Sequence, residues 1–235
     1  MKKKNLAAIL KKQKKKLIVL DLDIPQPPEG YVLVKMKYSG FCHTQLNEIR
    51  GILGKDKFLP HCMGHEGVGE IVSTGKNINS VKKGDKVVVS WIKKKKNRDF
   101  ISTFYSSKDK KKINTGGCNT LLNYSLVTED RVYKLSYENN YLRESILLGC
   151  ALPTASNAIM NNASINDRSK ILIMGMGGLG YASLFVLNYL KCRNVTCIDN
   201  NKSKIDIFKN MKNVKFKLIS DKNIKDFIKS NQNYF

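Results

Sequence analysis

The sequence predicts an α/β protein whose N-terminal part is rich in β-strands and whose C-terminal part begins a doubly wound parallel sheet. Three observations predict it. Up to about residue 135 the chain carries short apolar or alternating runs broken by glycine and proline turns. From about residue 140 strand-like and helix-like stretches alternate. A glycine cluster at 175–180 falls where an apolar strand gives way to an apolar helix.

The elements follow in order. Residues 17–23 and 31–41 read as strands, separated by Pro25, Pro27, Pro28 and Gly30. Residues 67–73 and 85–91 read likewise, with Lys83-Gly84-Asp85 as the turn between them. A polar, lysine-rich excursion covers 92–117, and 121–135 returns to strand text. The spacing then predicts helices over 141–150 and 155–163. A strand at 170–174, a helix at 179–190 and a strand at 195–198 come next. A charged helix at 202–211, a strand at 214–219 and a short helix at 224–229 complete the reading. There are no internal repeats.

The chain has 235 residues, of which 42% are hydrophobic. That is enough apolar content for a core and a length of one large or two modest domains. No apolar run approaches the roughly 20 residues that span a bilayer, so a helical membrane protein is excluded. The formal net charge of +23 invites a nucleic-acid reading. Yet only Arg50, Arg98, Arg131, Arg143, Arg168 and Arg193 are arginine; the rest of the positive charge is lysine, in runs at 2–4, 14–16, 93–96 and 110–112. Specific recognition of phosphates and bases favours the arginine fork. The lysine runs read as solvated surface turns, with salt-sensitive attraction to polyanions but no specific nucleic-acid partner and no membrane. The start, Met1-Lys2-Lys3-Lys4, looks like a leader, but the apolar stretch at 6–10 is cut by Lys11 and Lys12. It is shorter than the roughly 7–15 residues a leader needs, and a cytoplasmic location is expected. There, the six cysteines 42, 62, 118, 150, 192 and 197 suggest metal ligation or burial rather than disulfides.

The text Gly175-Met176-Gly177-Gly178-Leu179-Gly180 fits G-x-G-x-x-G in its proper setting, strand before and helix after. Gly175 makes the tight turn, Gly177 lets the backbone approach a pyrophosphate, and Gly180 lets helix and strand pack closely. Gly178 lies in the same cofactor-binding turn, and the bare N–H groups of the helix N-terminus would face the phosphates. Asp199 lies roughly 20 residues on, where a carboxylate binds the ribose hydroxyls of NAD. Lys202 and Lys204 nearby leave room for NADP; NAD is favoured.

Three residues could bind zinc: Cys42 in Gly40-Phe41-Cys42-His43-Thr44, His65 in Gly64-His65-Glu66-Gly67, and Cys150 in Gly149-Cys150. Two thiolates and one imidazole leave a fourth position open for water or substrate, as in catalytic zinc sites. Spacing alone makes only a thin case, because the three are far apart in the chain.

At these residues the sequence resembles the zinc-containing medium-chain alcohol dehydrogenases. Gly64-His65-Glu66 followed by Gly69, Gly75 and Ile78 matches that family's zinc signature, G-H-E-x2-G-x5-[GA]-x2-[IVSAC], at each fixed position. Cys42-His43-Thr44 resembles its C-H-[TS] element, and Gly149-Cys150 with Thr154 resembles its third-ligand segment. The resemblance implies a GroES-like β-barrel domain over residues 1–150 and a partial Rossmann domain over 151–235. It implies that Cys42, His65 and Cys150 bind the catalytic zinc, that Thr44 touches the substrate hydroxyl and starts a proton relay, and that Glu66 lies behind the zinc. It places His43 near the cofactor pyrophosphate, Thr154 near the nicotinamide, and Lys204 with Asp199 at the cofactor. The implied reaction is hydride transfer between an alcohol and an aldehyde or ketone, with NAD(P) as partner.

Departures from the pattern carry their own expectations. Gln45 stands where the family has an aspartate that orients the zinc-bound histidine, and an amide could hold that ring by a hydrogen bond without adding charge. Asn47 replaces a relay histidine and cannot carry a proton in the same way. The lobe with four cysteines for a structural zinc is absent from 91–117, so one catalytic zinc and no structural zinc is expected. Gln45 and the missing lobe bring to mind a bacterial subgroup linked to surface-polysaccharide (sugar) biosynthesis. Cys192 and Cys197 read as core, Cys118 as a half-buried thiol, and His61 and Cys62 as non-ligands.

Only three strands of the cofactor sheet can be placed before Phe235, and the family's return segment is not seen. The sequence therefore reads as the N-terminal part of such an enzyme, ending in an unpaired sheet edge. A homo-oligomer or a complementing C-terminal polypeptide would complete it. The competing reading is a non-catalytic zinc- or nucleotide-binding remnant.

Overall fold

The computed structural model describes residues 4–94, 104–107, 111–136, 141–163, 165–208, 210–220 and 223–231. The chain divides into two compact units, Met1–Cys150 and Ala151–Phe235. The lysines at 2–3, 95–96 and 110 lie outside the described residues, as does most of 95–110 in the lysine-rich excursion. The described lysines of the runs, Lys14 to Lys16 among them, are exposed. Among the described residues no helix is long and apolar enough to cross a membrane.

Among the described residues, the first unit holds ten strands in two five-stranded sheets. They are β1 (Asn5–Leu10), β2 (Ile18–Leu22), β3 (Tyr31–Ser39), β4 (His61–Cys62), β5 (Glu66–Thr74), β6 (Lys86–Ser90), β7 (Phe104–Ser106), β8 (Lys112–Asn114), β9 (Tyr124–Thr128) and β10 (Val132–Lys134). The sheet orders are β2-β1-β4-β8-β7 and β10-β6-β5-β3-β9. Strand β1 was not legible as a strand. Its alternation decides it: Asn5, Ala7 and Ile9 are buried and Leu6 is exposed, the period of two that one covered sheet face requires. Two short strands, β7 and β8, also occupy the excursion. There Tyr105 and Ile113 are buried in a cluster with Ala7, Ile9, Cys62 and Leu126, which draws on strands of both sheets. A valine-rich cluster, Val32, Val34, Ile71, Val87, Val89 and Val127, fills the second sheet.

The turn at 82–85 forms as the sequence suggests. Asp85 Oδ2 accepts the Lys82 N–H at 2.9 Å, and Lys134 Nζ reaches Oδ1 at 2.9 Å. Between β3 and β4 stands one helix the sequence reading did not place, α1 (His43–Arg50). The expected helix at 141–150 is a tight 3₁₀ turn, Glu144–Gly149.

The second unit contains α2 (Ala151–Asn157), which widens into a π-helical turn over Ala158–Asn162, then β11 (Lys170–Met174), α3 (Gly178–Tyr189), β12 (Asn194–Asp199), α4 (Lys202–Asp206), β13 (Val214–Leu218) and α5 (Ile224–Ser230). The strands form a parallel sheet in the order β11-β12-β13. Its core joins Ile171, Val195 and Cys197 of the strands to Ala182, Leu184 and Leu187 of α3 and Ile159. Cys192 and Cys197 are buried in it, as core residues would be. Helix α4 stops at Asp206 rather than running to 211. The turn that follows brings the Phe208 ring to 4.9 Å from Tyr181 and 5.6 Å from Phe185, and this packing overrides helix propensity.

Candidate metal centre

Cys42 is the residue at which the chain enters α1, with extended backbone (φ −82°, ψ 152°). The first helical turn is closed in both directions. The Cys42 N–H donates to Gln45 Oε1 at 2.7 Å, and the Gln45 N–H donates to the Cys42 carbonyl at 3.1 Å. This is a capping box that fixes the cysteine at a helix entrance. Gln45 is 1% exposed, and its Nε2 has no partner among the described residues. The sequence reading gave this amide to the histidine; its hydrogen bond goes to the cysteine backbone instead. Thr44 is exposed, and its Oγ1 lies 3.7 Å from Cys42 Sγ. His43 is exposed as well.

His65 leads into β5. The residue before it, Gly64, has φ +100°, and a Cβ there would sit 2.4 Å from Thr120 Oγ1 and 2.6 Å from the Leu121 nitrogen. Both the conformation and the close approach exclude a side chain, so the glycine sets the angle at which His65 is presented. Glu66 opens β5 and is 7% exposed. Its carbonyl accepts the Gly40 N–H at 3.0 Å, which draws the end of β3 toward the site. Opposite Glu66 in the ladder is Ser90, whose hydroxyl donates to the Gly149 carbonyl at 2.7 Å. That bond holds the end of the 3₁₀ turn against the sheet and so positions Cys150. Nothing in the sequence marked Ser90, since a single buried serine has no pattern.

These three supports bring Cys42, His65 and Cys150 together. The two sulfurs and a ring nitrogen of His65 lie within 4.8 Å of one another, the only such group among the described residues. His61 and Cys62 are not in it. His61 Nε2 pairs with Asp56 at 2.8 Å, and Cys62 is core. The site fits a metal on three counts. Burial lowers the pKa of His65, favouring the neutral ring that ligates. His65 Nε2 is a buried nitrogen without a partner among the described residues. A donor set of two sulfurs and one nitrogen suits zinc. Burial first, then neighbouring Cys42 and Glu66, push the Cys150 thiol up to about 12. Burial raises the Glu66 carboxyl too. A bound dication would counter this burial by favouring the thiolate that ligates it. Cys118 is nearer the site than the sequence suggested: its thiol donates to the His65 carbonyl at 3.5 Å. Mainly through burial, that thiol is pushed up to about 12.

The glycine turn belongs to the second unit. Gly175 has φ +94°, and its N–H donates to the Ile198 carbonyl at 2.8 Å. A Cβ on Gly180 would fall 2.1 Å from the Gly175 carbonyl oxygen, so helix and turn touch backbone to backbone. Cβ atoms on Gly175, Gly177 and Gly178 would meet nothing within 4 Å. The turn thus leaves an open cradle at the N-terminus of α3, the form that accepts a pyrophosphate. Asp199, at the end of β12, accepts the Met176 N–H at 2.7 Å and the Asn201 N–H at 2.7 Å, with Lys204 Nζ 3.4 Å away. Burial works to raise its pKa, but these N–H groups and Lys204 outweigh it and hold the carboxyl below the usual range. Lys202 is exposed at the start of α4. Thr154 is half-buried on α2.

A β-rich unit with a Cys-His-Cys group, followed by a parallel α/β unit with a glycine cradle, gives one chain a candidate metal site and a candidate dinucleotide site. Residues 28–137 match the model of the alcohol dehydrogenase GroES-like domain. The chain is 27% identical over 217 residues to the S-(hydroxymethyl)glutathione dehydrogenase of Photobacterium damsela subsp. piscicida, covering 82% of this chain and 58% of that protein. It thus spans less than two thirds of the length of that relative. Among solved structures, benzyl alcohol dehydrogenase from Acinetobacter calcoaceticus superposes with a TM-score of 0.77 at 21% identity, over 98% of this chain and 68% of that one. Acetophenone reductase from Geotrichum candidum, solved with NAD, gives 0.76 at 19% identity, over 93% and 64%. The structural likeness shows the fold: a GroES-like domain and a partial Rossmann sheet. Residues 28–137 thus carry an alcohol dehydrogenase GroES-like domain, and over most of its length the chain is similar to medium-chain zinc alcohol dehydrogenases.

Proposed function

We propose that the chain carries the catalytic centre of a zinc-dependent alcohol dehydrogenase. It would move a hydride between a small alcohol and NAD, or in reverse from the reduced cofactor to an aldehyde or ketone. The carrying observation is the convergence of Cys42, His65 and Cys150 from three separate segments onto one point. Residues 1–150 supply the metal site and 151–235 the dinucleotide cradle.

Cys42, His65 and Cys150 would hold one zinc. When bound, zinc acts as a Lewis acid toward the substrate oxygen, and NAD accepts the hydride. The residues of the chain do the rest. The Thr44 hydroxyl, beside Cys42 and open to solvent, accepts the alcohol proton while passing its own to water. Asn47, in place of a titratable relay residue, leaves water as the next carrier. Glu66, buried at the start of β5, would supply negative charge close to a bound dication. His43 would lie near the pyrophosphate and Thr154 near the nicotinamide. Gly175, Gly177, Gly178 and Gly180 would cradle the phosphates, and Asp199 with Lys204 would take the ribose. NAD is favoured over NADP because Asp199 stays ionised and would repel a 2′-phosphate. A cytoplasmic enzyme acting on small molecules, without specific nucleic-acid or membrane partners, fits this reading.

The test is NADH formation by zinc-supplied protein given NAD and a series of primary and secondary alcohols. Turnover should require zinc and vanish in Cys150→Ala. Turnover that survives Cys150→Ala unchanged would refute the assignment.

A further inference from the structure

Trp91 is the single tryptophan of the sequence and follows directly on the end of β6. Its ring is 47% exposed. A large apolar side chain so placed gains only part of what burial gives, which turns attention to the polar edge of the ring. The indole N–H donates to the Cys150 side chain, at the sulfur assigned above to the metal. An indole nitrogen is a donor only, so the direction of this bond is fixed.

Neighbouring bonds hold Trp91 in place. β6 pairs with β10 through Val89 and Val132. Past the end of that ladder, Arg131 Nη1 donates to the Trp91 carbonyl, and the Tyr133 hydroxyl donates to the Ile92 carbonyl at 3.2 Å. The Ile92 N–H donates to Ser90 Oγ at 3.1 Å. The same Ser90 hydroxyl donates to the Gly149 carbonyl at 2.7 Å. A Cβ on Gly149 would come within 2.8 Å of the Val89 carbonyl oxygen, so the two backbones touch there. Two consecutive residues, Ser90 and Trp91, therefore grip two others, Gly149 and Cys150. The serine fixes the backbone and the tryptophan fixes the sulfur.

We propose that Trp91 is a positioning residue of the metal centre, whose indole N–H holds the Cys150 sulfur in the orientation that ligates zinc. The inference rests on the zinc reading above and deepens it. A metal-bound thiolate carries charge, and a hydrogen bond to a charged acceptor is stronger than one to a neutral thiol. The bond therefore tightens as the metal binds and contributes to its retention, as hydrogen-bond partners of metal ligands do elsewhere.

The experiment is titration of the full 235-residue chain with zinc and with cobalt(II). Cobalt(II) takes similar N/S sites and shows thiolate ligation as a charge-transfer band. Trp91→Phe keeps an aromatic ring but has no N–H. It should weaken zinc retention against a chromophoric chelator by about tenfold. It should also move the cobalt band to longer wavelength, because the sulfur keeps more of its charge. Ser90→Ala removes the backbone grip alone, so it should weaken retention and leave the band in place. A second measurement needs no variant. In the wild type, the one indole N–H resonance should move downfield on zinc addition and exchange more slowly with solvent. Unchanged retention and band in Trp91→Phe, a band that moves equally in both variants, or an indole signal that zinc leaves unmoved would overturn the proposal and leave the metal site standing. Absence of a thiolate band from the wild type with cobalt would instead sink the metal reading, and this proposal with it.

Discussion

Gln45 Oε1 accepts a 2.7 Å hydrogen bond from the backbone N–H of Cys42. A residue that stands in this family's pattern beside the metal-binding histidine is here tied to the metal-binding cysteine. Gln45→Ala should lose the capping bond, costing about 1 kcal/mol of stability. It should also weaken zinc retention by about tenfold, as loss of outer support does at metal sites. Competition with a chromophoric chelator reads the second effect. Retention equal to wild type would show that Gln45 does not position Cys42.

The two ends of the glycine turn should respond oppositely. Gly177→Ala adds a methyl to open space, so thermal stability should change by less than about 1 kcal/mol while NAD affinity falls, because the methyl fills the cradle. Gly180→Ala drives a Cβ to 2.1 Å from the Gly175 carbonyl and should destabilise the second unit by about 3 kcal/mol or more. Melting curves and NAD titration distinguish them. Equal losses of stability would contradict the assigned roles.

Asp199 should set cofactor preference. Asp199→Gly removes the carboxylate that would pair with ribose hydroxyls and repel a 2′-phosphate. NAD affinity should fall by about tenfold or more and NADP affinity should fall less or rise. Equal weakening of both would count against the ribose assignment.

The Asp85–Lys134 pair makes a pH prediction. Burial works to raise the Asp85 pKa, but the Lys134 ammonium and the Lys82 N–H outweigh it, so the folded value lies below the unfolded one. A depressed carboxyl contributes stability above its unfolded pKa and loses it as pH falls through the folded value. Wild type should therefore exceed Asp85→Asn by about 1 kcal/mol near neutral pH, and the gap should close below the usual carboxylate range. Thermal melts of both proteins against pH check this. A gap that stays constant into acid would refute it.

Much of this was legible in the residues because their signals are local. Gly175 to Gly180 announces itself by a strand before and a helix after, and Gly64-His65-Glu66 with Gly69, Gly75 and Ile78 is a contiguous signature. What escaped depends on contacts distant in sequence. β1 hid because its few apolar residues are followed at once by lysines, and only pairing with β2 and β4 makes it a strand. Ser90 reaches Gly149 across 59 residues, and Cys118 reaches the His65 carbonyl across 53. Gln45 was noticed as a departure, but its partner was assigned by analogy to the histidine. The capping geometry at Cys42, which only coordinates reveal, decides otherwise.

The central claim is that Cys42, His65 and Cys150 form one zinc site. Metal analysis of the purified chain tests it most directly. The account predicts about one zinc per chain, falling to near zero in both Cys42→Ala and Cys150→Ala while Cys118→Ala keeps its metal. A ratio near zero in the unaltered protein, or metal that persists after removal of Cys42 or Cys150, would contradict it.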